Sequence, residues 1–174
     1  IIFDEKGERE IERFTFPRQT EGNLRCIADF IAPLASGKRD VIGMSIVTVG
    51  QRATEISQHL FESDKYTDYL YFHGLSVETA EALAEYWHKV MRGELGLAAD
   101  DAKDIAALFR QEYRGSRYSF GYPACPNLED QTKLFRLLDP SRIGISLTEE
   151  FQLVPEQSTS AIVVHHPSAK YFNV

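Results

Sequence analysis

Hydrophobic positions along the chain follow two different periods. Val41 to Val49 (VIGMSIVTV) is the longest apolar run and reads as a buried strand, while RFTF (13–16) and CIADFI (26–31) are short aromatic and β-branched segments that predict two more. The pattern then becomes helical. Residues 54–72 predict a helix with an untidy pattern, and Ser76 is placed to cap a clearer one, with Glu78 near the positive end of its dipole. Val77, Ala80, Leu83, Ala84, Trp87 and Met91 recur at spacings of three and four, which lays one apolar stripe on a helix running to about Arg92 with Gly93 as its C-cap.

Asp100 or Asp101 opens a further predicted helix ending at Gly115, with Ile105, Leu108, Phe109 and Tyr113 as its stripe. Residues 128–138 predict one more, stopped by Asp139-Pro140. IGISL (143–147), TSAIVV (159–164) and KYFNV (170–174) return to strand character. Strands, then helices, then strands predict one α+β domain over residues 1–174, with a twisted, largely antiparallel sheet, rather than a doubly wound nucleotide fold.

A chain of 174 residues with 43% hydrophobic and 26% charged composition is long enough to bury a core. Its formal net charge of -7 gives nothing to neutralise a phosphate backbone, so nucleic acid is not an expected partner. The longest apolar run is far short of the roughly 20 residues that cross a bilayer, so no membrane is expected either. IIFDEKGERE at residues 1–10 lacks the apolar core of a signal peptide, which makes the cytoplasm the expected compartment. An opening at Ile1 and a stop at Val174, within a predicted strand, suggest a piece of a longer polypeptide. Cys26 and Cys125 have no metal-ligand spacing and read as small buried hydrophobes without a bridge.

Most familiar chemistry finds no support. Neither GxGxxG nor GxxxxGK[ST] occurs, and there is no GxSxG nucleophile turn. Glu85 and His88 have the ExxH spacing of carboxylate-bridged metal sites, but those need a second copy, so the pair reads as a solvated helix face. His165 and His166 are predicted to lie in a strand, where neighbours point to opposite faces and cannot chelate one ion. Residues 113–126, YRGSRYSFGYPACP, stand apart. Glycine and proline set an irregular backbone there, while aromatic rings and arginine supply stacking faces and a carboxylate clamp. The combination suits a ligand with a flat ring and a carboxylate.

GYPACP with Arg117 shortly before it resembles the signature loop, usually RPxPGYPACP, of the S-adenosylmethionine-binding activation domain of cobalamin-dependent methionine synthase. FTFPRQ, CIADFIAPLASGKRDVIG, AEALAEYWHK, IGISLTE and HPSAKYF are similar to that domain in the same order, so the resemblance covers nearly the whole chain. It implies a C-shaped module of a large methyltransferase that moves a methyl group from methyltetrahydrofolate to homocysteine through cobalamin. Such a module docks over the cobalamin-binding module of the same enzyme and presents S-adenosylmethionine. The methyl group then traps cobalamin after reduction of cob(II)alamin by flavodoxin or a similar reductant. An isolated domain is not expected to turn over, and no zinc ligand set for homocysteine is expected in it.

The resemblance carries ligand contacts onto Asp29, Glu81, Arg117, Tyr122, Tyr171 and Phe172. Arg117 would meet the carboxylate, Asp29 and Glu81 the ammonium and sulfonium in an order left open, and Tyr122 or Tyr171 the adenine. Two departures bear on affinity. Tyr118 and Phe120 stand where the family has prolines, which predicts a more flexible loop unless the rings pack. Tyr171-Phe172 replaces a frequent pair of tyrosines and removes one hydroxyl. A divergent copy that caps a corrinoid protein without binding S-adenosylmethionine is the alternative. A free-standing methyltransferase would lack its usual Gly-rich turn.

Overall fold

The computed structural model describes residues 1–172. Its elements follow in the order β1 (Ile2–Phe3), β2 (Glu10–Glu12), β3 (Gly43–Thr48), α1 (Gln51–Glu62), α2 (Tyr66–Glu94), α3 (Ile105–Phe109), β4 (Ser116–Ser119), α4 (Gln131–Leu138), β5 (Ser146–Leu147), β6 (Leu153–Val154) and β7 (Ser158–Val164). The mixed α+β class is as predicted, and all strand pairing is antiparallel. β3, β7 and β4 form the central sheet in that order, with β7 in the middle, and β1-β2 and β5-β6 are separate two-stranded ribbons.

Register divides the central sheet into two faces. Tyr118 lies opposite Ile162 and Met44 opposite Ile162 from the other side, so these side chains share a face. That face carries the main apolar core, in which Tyr118, Phe120, Leu134, Ile162, Val164, Ile27, Phe30 and Phe172 are buried together. The opposite face holds Arg117, Val163, Ala161 and Gly43, and α2 lies against it. A Cβ on Gly43 would come within 2.3 Å of Met91 Cε, so glycine there allows the close seat of the helix.

α2 is where the sequence pattern misleads most. Ser76 is not its cap: the helix starts ten residues earlier, and the Ser76 hydroxyl donates to the Phe72 carbonyl at 2.8 Å within it. α1 and α2 are parted by Asp64 in the left-handed region at φ 58°. The buried stripe of α2 is Ser76, Ala80, Ala84, His88 and Arg92, whereas Val77, Leu83 and Trp87 from the predicted stripe are exposed. The small residues of that stripe, Ser76, Ala80 and Ala84, let the helix approach, and the larger His88 and Arg92 follow toward its C-terminal end.

Other expectations also shift. RFTF is irregular, and CIADFI forms a 3-10 turn over Ile27–Phe30 that still buries Ile27 and Phe30. The predicted helix up to Gly115 shrinks to α3, capped by Asp104, whose carboxylate accepts from the Ala107 amide at 3.0 Å. His165 and His166 fall just past the end of β7. Residues 170–172 are not in a strand, and 173–174 of the predicted KYFNV strand lie outside the described residues. α4 ends as predicted, with Asp139 at φ 48° before Pro140. No helix among the described residues is long and apolar enough to cross a membrane.

Candidate functional site

Gly115 starts the site. At φ 95° it brings the backbone so close to β7 that a Cβ would stand 2.4 Å from the Val164 carbonyl oxygen. β4 then pairs with β7, an edge position that sets Arg117 opposite Val163 and turns it toward α2. Its Nη2 is 3.2 Å from Glu85 Oε2 and 3.7 Å from Glu81 Oε2, two acids one helical turn apart on α2. Nε and Nη1 of Arg117 make no hydrogen bond among the described residues.

A second layer lies behind this cluster. The Tyr113 hydroxyl donates to the same Glu85 Oε2 at 3.4 Å, and the Arg92 guanidinium sits 4.0 Å from the Tyr113 ring centroid. Arg92 is itself buried and held by two bonds to Asp101 at 2.7 and 2.8 Å. His88 meets the Tyr113 ring edge-on with centroids 5.2 Å apart, and His165 lies 6.2 Å from His88. Burial first, then the charges of Arg92 and Arg117, lower the His88 pKa to about 3, so this imidazole is neutral. Burial with the neighbouring Glu85 charge pushes the Tyr113 phenol up to about 12, which keeps it a hydrogen-bond donor.

The remaining predicted residues are placed differently. Asp29 is held by Arg18 through two bonds of 2.6 Å and also accepts from the Cys26 amide at 3.1 Å, closing its own turn. The Arg18 hydrogen bond holds its carboxyl below the usual carboxylate range. Tyr122 exposes its ring just beyond β4, and Tyr171 is half exposed. Phe172 turns inward, 5.6 Å from Tyr118 and 6.3 Å from Phe30. Phe30, Tyr118 and Phe172 are the chain neighbours of Asp29, Arg117 and Tyr171, so one ring cluster gathers the backbone at all three.

Two bonds tie the last segment into place. The Tyr118 hydroxyl donates to the Lys170 carbonyl at 2.8 Å, and Lys170 Nζ donates to the carbonyls of Gln111 and Tyr113. Tyr118 and Phe120, the residues in the proline positions, are both buried, Phe120 against Phe14 at 6.3 Å. The rings therefore pack, and burial takes over the stiffening that proline would give.

Arg117 and Glu81 are thus brought together, and Asp29 is paired elsewhere. Glu85, Tyr113 and Arg18 escaped the sequence reading. Glu85 looked like a solvated acid because the stripe on α2 was set on the wrong side of the helix, and its partner His88 is buried. Arg18 sits in the FTFPRQ segment, where its type was visible but its partner was not.

A family model described as vitamin B12 dependent methionine synthase, activation domain, matches residues 1–174. The chain belongs to this family. Methionine synthase of Mycobacterium tuberculosis (strain ATCC 25618 / H37Rv) is 51% identical over 172 residues, covering 93% of this chain and 14% of that protein. Methionine synthase of Mycobacterium leprae (strain TN) matches with the same identity and coverage. This activation domain therefore spans a small part of the length of its curated relatives. The crystal structure of the MetH reactivation domain bound to AdoHcy shares the fold with a TM-score of 0.90 at 31% identity, over 99% of this chain and 55% of that one.

Proposed function

We propose that this activation domain binds S-adenosylmethionine at the Arg117 cluster and, within a longer methionine synthase, presents it for the reductive methylation of cobalamin. The observation that carries the reading is the edge-strand arginine with two acids at 3.2 and 3.7 Å, since a zwitterion needs both signs within one side-chain length. The MetH reactivation domain of the same fold holds AdoHcy, which has the same carboxylate, ammonium and adenosine groups.

Each group of the ligand has a matching residue. Nη2 of Arg117 gives one hydrogen to Glu85, and its second hydrogen, beside the Nε or the Nη1 hydrogen, can meet a carboxylate in the fork geometry that guanidinium favours. Glu81 is half exposed and touches Arg117 only at 3.7 Å, so it is free to turn toward the ammonium or sulfonium. Tyr122 and Tyr171 offer rings to the adenine, with Phe172 fixing the backbone behind Tyr171. Asp29 is engaged by Arg18, so a cation of the ligand would have to share its carboxylate or displace that arginine. S-adenosylmethionine supplies the methyl group, and this chain binds and orients it. The cobalamin-binding module of the same enzyme, flavodoxin or a similar reductant, and a cytoplasmic setting complete the reading.

Calorimetric titration of the chain with S-adenosylmethionine tests it. Saturable binding is expected, with Arg117→Ala weakening it about 10- to 100-fold, the range for a charge-assisted bond to an ion. A folded chain that does not bind would favour a docking module that caps the corrinoid protein.

A further inference from the structure

The two acids beside Arg117 differ in how they are held. Glu81 has one distant contact and is 49% exposed at its side chain. Glu85 is 30% exposed and takes both the Arg117 guanidinium and the Tyr113 hydroxyl on one oxygen. Tyr113 cannot easily move, because Arg92 lies on its face, His88 meets it edge-on, and Lys170 Nζ holds its carbonyl. Arg92 in turn is pinned by Asp101 inside the protein, its side chain 1% exposed. A rigid chain of contacts thus runs from Asp101 through Arg92 and Tyr113 to Glu85, and ends on Arg117.

We propose that Glu85, anchored by Tyr113, is a positioning residue that aims Arg117 at the carboxylate of S-adenosylmethionine. The inference rests on the reading of Arg117 as the carboxylate clamp. An arginine side chain has several rotatable bonds, so a guanidinium at a strand edge samples many orientations unless something holds its plane. Glu85 takes one hydrogen of Nη2 from the α2 side and leaves the second, with Nε or Nη1 beside it, for the ligand carboxylate. Its own charge does little to repel the ligand carboxylate, because the Arg117 guanidinium and the Tyr113 hydroxyl both offset it. Glu81 lacks such an anchor and is the acid left to face the ligand's cationic groups.

The test uses two ligands that differ only in the group Arg117 reads, S-adenosylmethionine and its decarboxylated form. Both are titrated calorimetrically into the 174-residue chain, and thermal melts confirm that each variant is folded. Glu85→Ala is expected to weaken S-adenosylmethionine about 3- to 10-fold while leaving the decarboxylated ligand within about twofold. Tyr113→Phe should show the same selectivity with a smaller loss, about 2- to 3-fold, and Glu85→Gln should recover part of the affinity because it still accepts from Arg117. Equal losses for both ligands would reduce Glu85 to a structural role, and tighter S-adenosylmethionine binding in Glu85→Ala would make it a competitor; either result overturns the inference. A wild-type chain that does not bind, or an Arg117→Ala variant with unchanged affinity, would instead remove the clamp reading beneath it.

Discussion

The two faces of the central sheet are built from different materials, although β4 contributes to both. On one face Tyr118, Ile162 and Val164 join rings and aliphatic side chains in a dry core. On the other, Ala80 and Ala84 bring α2 close, and His88, Arg92 and Arg117 fill the space that remains. Strand alternation alone separates Tyr118 from its neighbour Arg117. The apolar face is held by buried area, while the α2 face holds the charged and polar side chains. A single strand can thus anchor the fold with one residue and hold a ligand group with the next.

The contrast breaks most visibly at Tyr118. Tyr118→Ala removes a buried ring that packs on Phe30 and Phe172, and its bond to the Lys170 carbonyl. Urea unfolding should show a loss of about 3–5 kcal/mol, the range for large-to-small changes of buried aromatic residues. Arg117→Ala, one residue away, should cost less on the same assay, about 1–2 kcal/mol, because Arg117 is mostly buried but both acids that pair with it reach solvent. Equal losses would mean that the two faces are not energetically distinct.

A smaller effect sharpens the α2 face. His88 has a folded pKa of about 3 against an ordinary 6.5, so between those values the unfolded chain binds a proton that the folded chain refuses. Stability is therefore full above about pH 6.5 and falls as acid is added, by at most about 1.4 kcal/mol per pH unit for one such group. His165, lowered first by its burial, acts in the same direction. His88→Leu should flatten the fall in urea midpoint between pH 6.5 and 4.5, recovering about 1–2 kcal/mol of it. An unchanged slope would place the proton elsewhere.

What could be read in advance follows the same division. β3, β7 and α4 were legible because their apolar periodicity coincides with their burial, and Asp139-Pro140 marks a real stop. α2 was half legible: its helical character was plain, but its buried side is chosen by the small residues Ala80 and Ala84 and by Gly43 across from Met91, which carry almost no hydrophobic signal. CIADFI looked like a strand because its residues are apolar, whereas the Asp29 carboxylate binding the Cys26 amide turns it into a 3-10 turn. Arg117 and Glu81 could be carried over from a motif, but Glu85 and Tyr113 depend on a tertiary contact between residues 28 positions apart.

The smallest expected effect concerns Asp29, where the division between turn and ligand is finest. Its carboxylate makes two 2.6 Å bonds to Arg18, but the pair is roughly half exposed, and exposed pairs contribute about 1 kcal/mol or less. Asp29→Asn keeps an oxygen for the Cys26 amide and loses only the charge, so the turn should persist and stability should fall by under about 1 kcal/mol. S-adenosylmethionine affinity should stay within about twofold, since a carboxylate already engaged by a guanidinium has little left for a second cation. A loss of about tenfold would instead place the acid in the site, with its carboxylate shared between Arg18 and the ligand or released by Arg18 when the ligand arrives.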